Sequence, residues 1–123
     1  MAERYTTFAP GGTAWLLQRI TAAFLIVTLA FHFFLLHFWN HAFEVTFADT
    51  QARMSEPGYF VTMWLFLVAG TFHGVNGVYN ALVNQGLSGT RKRAVKWGLV
   101  AAGLLLIVQG TRVAFAMAGG ALL

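Results

Sequence analysis

The chain has 123 residues, 58% of them hydrophobic and 10% charged, with a mean hydropathy of +0.64. A water-soluble domain has roughly 25% charged residues, so eight Lys/Arg and four Asp/Glu cannot cover the outside of one. Disorder is excluded by the same apolar content, and the lack of cysteine removes disulfides, zinc fingers, iron–sulfur ligation and thiol nucleophiles.

What remains is a small all-α integral membrane protein, a single domain over residues 1–123 with three transmembrane helices. The net charge of +4 sits beside apolar runs, so membrane topology rather than nucleic acid accounts for it. Residues 1–13 are too polar to open a signal peptide, and the first span is expected to be retained. Pro10-Gly11-Gly12 turns the chain into that span, with Thr13 as the expected N-cap.

Three stretches reach the roughly 20 residues that cross a bilayer. They cover residues 14–38, 59–83 and 95–118. Helices are required, because lipid offers backbone N–H and C=O groups no partner in an open chain. Trp15, Trp39, Tyr59 and Trp97 fall at span ends, where interfacial aromatics belong. The loop over residues 39–58 has room for a short surface helix, ended by Pro57-Gly58. Arg91, Lys92, Arg93 and Lys96 are expected in the loop between spans two and three. Glu44, Asp49 and Glu56 outnumber Arg53 in the other loop. The positive-inside rule then puts the N-terminus in the cytoplasm and the C-terminus outside.

Ionisable side chains at membrane depth are candidates for function. In the second span, Thr62, Asn80 and Asn84 lie within about 20° of His73 on a helical wheel, and Gly77 within about 40°. Asn76 and Gly70 flank this stripe, and glycines a turn either side of the histidine leave room for a flat, rigid group. In the first span, Gln18, Thr21 and Thr28 lie within about 40° of His32. Small and polar stripes of this kind face protein or a cofactor rather than lipid. Two such histidines suggest axial haem ligation by neutral imidazole. Packing between helices and membership of a proton relay are the competing explanations.

Arg112 comes at a depth of roughly 25 Å in the third span, close to that of His32. It is a candidate partner for a carboxylate such as a haem propionate, or else it snorkels to the outer interface. Arg19, beside Gln18 and Trp15, is a candidate for a quinone carbonyl or a propionate, with snorkelling again the alternative. His37 and His41 are expected at the outer boundary, and Arg91–Arg93 also meet anionic lipid.

The run Leu17-Gln18-Arg19-Ile20-Thr21-Ala22, with His32 thirteen residues after the arginine, and the run Phe72-His73-Gly74-Val75-Asn76-Gly77-Val78-Tyr79 resemble a membrane-anchor subunit of succinate dehydrogenase/fumarate reductase, respiratory complex II. The similarity is greatest to the smaller, D-type cytochrome b anchor of prokaryotes and covers roughly residues 12–115. It implies haem b held between two three-helix anchor subunits, an iron–sulfur protein and a flavoprotein docked on the cytoplasmic side, and location in the cell membrane. His73 matches the haem-ligating histidine of the second helix. His32 matches the first-helix histidine of anchors with two haems, and Arg19 the arginine near the quinone pocket and the propionates. Many members carry Asp-Tyr at the cytoplasmic end of the second helix. Asn84 and Gln85 stand there instead, so another group, or the partner anchor, meets the quinone.

The expected function is therefore that of a non-catalytic subunit of succinate:quinone oxidoreductase. The chain fixes the complex in the membrane, binds haem b through His73 and His32 with Arg19, Arg112 and Gly77 nearby, and contributes Gln18, Arg19, Trp15 and Asn84 as quinone-site candidates. Succinate chemistry belongs to the flavoprotein, since this chain has no soluble acid/base constellation and no nucleotide loop. The alternatives are an anchor of another cytochrome b dehydrogenase and a small transporter or proton-conducting protein with a histidine relay.

Overall fold

The computed structural model describes residues 11–119, all of whose regular structure is helical; Pro10 and the polar start of the chain lie outside them. Helix α1 spans Gly12–Phe34. Its N-cap is Gly11 at φ 91° with no side-chain cap, and Thr13 is already inside the helix, correcting the expected cap. A left-handed glycine redirects the chain at no Cβ cost, so no hydroxyl is needed for the turn. The helix runs on through one π-helical turn, Leu35–Trp39, closed by Asn40 N–H donating to Leu35 O at 2.9 Å. Here the His37 ring stacks on Phe33, centroids 4.2 Å apart, with Nδ1 3.0 Å from Phe33 O. His41, at φ 51°, then breaks the helix.

The connection to the second span contains a 3-10 turn, Ala42–Glu44, and the surface helix α2, Phe47–Met54. Thr46 caps α2 reciprocally with Asp49. The Asp49 N–H donates to Thr46 Oγ1 at 3.2 Å, and the Thr46 N–H donates to the Asp49 carboxylate at 2.8 Å. Helix α3 spans Pro57–Asn84. Pro57 therefore opens a helix rather than ending the loop's one, as suits a residue whose missing N–H is unneeded in the first turn. Gly86 at φ 98° ends α3, with Gly86 N–H donating to Val83 O and Leu87 N–H to Leu82 O, both at 3.0 Å. This is the Schellman closure that glycine favours.

Helix α4 spans Gly89–Met117, six residues earlier than the expected start at 95. Arg91, Lys92, Arg93 and Lys96 consequently sit on its first turns, not in a loop. The reason is length. A helix of 29 residues extends about 43 Å, well past a hydrocarbon layer of about 30 Å, and Lys and Arg are good helix formers in the aqueous overhang.

Helix α3 is central, packing α1 on one side and α4 on the other, while α1 and α4 do not touch. Close approach of α4 uses glycine. A Cβ at Gly110 would stand 2.5 Å from Leu67 Cδ2, and one at Gly103 would stand 3.0 Å from Val75 Cγ2. The buried apolar cluster of Met54, Phe60, Ala114 and Ala118 joins α2 to the start of α3 and the end of α4. Ser55 Oγ adds a bond to Ala118 O at 3.3 Å. Most other large apolar side chains face outward, Ile26, Val27 and Leu105 each 70% exposed, as lipid-facing positions must be.

Candidate functional site

The polar residues of the spans gather on the α1–α3 seam. Gln18 bridges the two helices. Its Nε2 donates to His73 O at 3.2 Å, and its Oε1 accepts from Asn76 Nδ2 at 2.9 Å. One turn on, Thr21 Oγ1 lies 3.2 Å from His73 Nδ1. Gly77 makes the approach possible, since a Cβ there would come within 3.3 Å of Gln18 Nε2. Nothing lies within 4 Å of the place a Gly74 Cβ would take, so the backbone beside His73 is open. His73 Nε2 has no hydrogen-bond partner among the described residues.

Beside this cluster an apolar groove of about 450 Å³ runs between α1 and α3, lined by Leu17, Ile20, Thr21, Phe24, Leu65, Val68, Ala69 and Phe72. Thr21 is its one polar side chain. Toward the other end of the seam, the buried Thr28 is 4% exposed, and the Tyr59 hydroxyl stands 3.4 Å from the half-buried His32 Nδ1. Thr21 and His32 are eleven residues apart on α1, so the two histidines differ in depth by about 16 Å. They cannot meet at one metal ion.

The remaining sequence candidates are dispersed. Arg19 is exposed on the side of α1 away from α3, its guanidinium 5.0 Å over the Trp15 ring. Arg112 is exposed on α4, about 160–200° around that helix from Gly110 and Ala114, which face α3. Asn84 is exposed at the end of α3. It adjoins a hollow of about 290 Å³ at the α3–α4 turn, lined by residues that include Gln85, Ser88 and Arg91. Two groups escaped the sequence reading. Tyr59 is the neighbour of His32 rather than only an interfacial aromatic. Half-buried Arg53 reaches from α2, its buried Nε without a partner among the described residues and its Nη2 3.4 Å from Thr50 Oγ1. Helical periodicity groups residues of one helix, and cross-helix neighbours such as these carry no signal in it.

Three apolar helices long enough to cross a membrane, Gly12–Trp39, Pro57–Asn84 and Gly89–Met117, define a multi-pass membrane protein. Its polar interior is built around histidine and amide side chains instead of a soluble catalytic cleft. The chain belongs to the succinate dehydrogenase/fumarate reductase transmembrane subunit family, which matches residues 2–111, and is a membrane-anchor subunit. It is 29% identical over 104 residues to the succinate dehydrogenase hydrophobic membrane anchor subunit of Archaeoglobus fulgidus, covering 85% of this chain and 88% of that one. It is 24% identical over 102 residues to the protein of the same description from Thermoplasma acidophilum, covering 82% of each.

Proposed function

We propose that this anchor binds haem b and helps to form the quinone site of a succinate:quinone oxidoreductase. It would act together with a second anchor, an iron–sulfur subunit and a flavoprotein. The observation that carries the haem assignment is the setting of His73. Thr21 meets one ring nitrogen, the other has no partner among the described residues, and a Cβ at Gly74 would meet nothing within 4 Å. A groove lined almost wholly by apolar side chains lies beside the seam. These are the requirements for a flat, mostly apolar macrocycle with an imidazole ligand.

Bound haem would supply one-electron transfer between the iron–sulfur centres and quinone. Of the chain's own residues, His73 would supply the ligating imidazole, and Thr21 and Gln18 would orient it. His32, about 16 Å deeper along α1, is the candidate ligand of a second haem. For quinone, Arg19, Trp15 and Asn84 remain exposed toward the end of the helix bundle that bears Arg91–Lys96. Gln18 already has its carbonyl and one amide hydrogen engaged. The basic start of α4 supports a cytoplasmic α3–α4 turn, hence a cytoplasmic N-terminus, in a prokaryotic cell membrane.

The test is a dithionite-reduced minus oxidised spectrum of the complex purified through this chain. A b-type haem α-band together with succinate oxidation supports the proposal. No b-type absorbance would overturn the haem assignment, and co-purification of a different dehydrogenase would overturn the succinate assignment.

A further inference from the structure

Thr21 and His73 meet across the α1–α3 seam, and the direction of their hydrogen bond follows from what else Thr21 touches. Its Oγ1 is 2.7 Å from Leu17 O, 3.2 Å from Gln18 O and 3.2 Å from His73 Nδ1. A hydroxyl has one proton to give and two lone pairs that accept. Both carbonyls can only accept, and the shortest contact takes the proton. Thr21 therefore donates to Leu17 O, the bond to residue i−4 that helical threonine commonly makes. Only a lone pair is left for the ring, so His73 Nδ1 must carry the hydrogen and donate it to Thr21 Oγ1. A neutral imidazole has one N–H, and Nε2 is left with a bare lone pair.

We propose that Thr21 is a positioning residue that fixes His73 in its Nδ1–H tautomer and presents Nε2 as the donor atom to haem iron. The inference rests on the haem assignment above. Histidines that bind metal ions usually donate their second N–H to an oxygen acceptor, which sets the ring orientation and raises the basicity of the ligating nitrogen. Here the acceptor is itself held, since the Thr21 proton is anchored on the α1 backbone. The main chain of His73 is gripped as well, by Gln18 Nε2 on its carbonyl, with Asn76 holding Gln18. One turn of α1 thus determines both where the ring sits and which nitrogen is free. His32 has no such arrangement: its Nδ1 faces Tyr59 at 3.4 Å, and a phenol can donate or accept.

A more basic imidazole favours the oxidised iron, so losing the Thr21 acceptor moves the haem midpoint potential to a more positive value. Potentiometric titration of the assembled complex with Thr21→Val, which keeps the shape and removes the oxygen, is expected to show that shift at unchanged haem per complex. Thr21→Ser is expected to restore the wild-type potential. An unshifted Thr21→Val potential, with haem bound, overturns this inference and leaves the haem assignment standing.

A second measurement needs neither haem nor a Thr21 substitution. In the full chain in detergent, labelled with ¹⁵N-histidine and with His73→Ala assigning the signals, His73 is expected to be protonated on Nδ1 and bare on Nε2. A proton on Nε2 overturns the inference. Absence of b haem from the wild-type complex overturns the functional assignment instead.

Discussion

The Trp64 indole N–H donates to Thr111 Oγ1 at 2.9 Å, joining α3 to α4. It pairs one polar group from each helix within an apolar environment, where neither has water as an alternative partner. Around it the two helices meet through glycine and small side chains. The hydrogen bond and the close backbone approach are one device: Gly110 brings α4 near enough for the indole to reach.

Removing either end of that bond is expected to weaken the α3–α4 pair by roughly 1 kcal/mol, the usual scale for a polar contact between membrane helices. Trp64→Phe and Thr111→Val should each lower the thermal midpoint of the detergent-solubilised protein. The double substitution should cost less than the sum of the two. Full additivity would show that the bond contributes nothing.

His73→Ala is expected to abolish one haem signal of the assembled complex, and His32→Ala to leave that signal intact. The axial separation of about 16 Å makes the two effects independent. Haem-to-complex stoichiometry by pyridine haemochrome measures both. A complex that holds one haem, unaffected by His32→Ala, returns His32 to packing against Tyr59.

Gly74 offers a different probe, because a Cβ there would meet nothing within 4 Å among the described residues. Gly74→Ile is therefore expected to leave the stability of the isolated chain within about 1 kcal/mol, the scale of helix-propensity differences. The same change should reduce haem per complex severalfold by filling the bare strip beside His73. Wild-type haem content in this variant would place the macrocycle elsewhere.

The surface helix responds to acid. The Thr46 hydroxyl, 2.6 Å from the Asp49 carboxylate, and the Thr46 backbone N–H hold that carboxyl below the usual carboxylate range. A carboxyl whose folded-state pKa is depressed stabilises the fold above its unfolded-state pKa. The contribution disappears as pH falls through the lower folded-state value. Amide protection of α2 is expected to be flat from neutral pH down to the ordinary carboxylate range and to fall below it. Thr46→Ala should remove about 1 kcal/mol of local helix stability at neutral pH. Pulsed hydrogen exchange resolves both effects.

Much of this architecture was legible from the chain. Long apolar runs in a sequence with so few charges leave only membrane helices, and the stripe around His73 marked the seam against α1. Helix ends were less visible. Pro57 is compatible with ending one helix or opening another, and the Arg91–Lys96 segment is polar enough for a loop yet composed of good helix formers. The pairing of Gln18 with Asn76 and of Thr21 with His73 depends on the relative rotation and depth of two helices. A single sequence records which face a residue occupies on its own helix, but not which residue stands opposite. Tyr59 and His32, 27 positions apart, were missed for the same reason.

With α1 and α4 both leaning on α3 and never on each other, a newly inserted copy is an open book with its spine in the middle. Synthesis in excess of whatever closes the covers should therefore yield short-lived protein, and cellular abundance should follow the scarcer companion rather than this chain's own message.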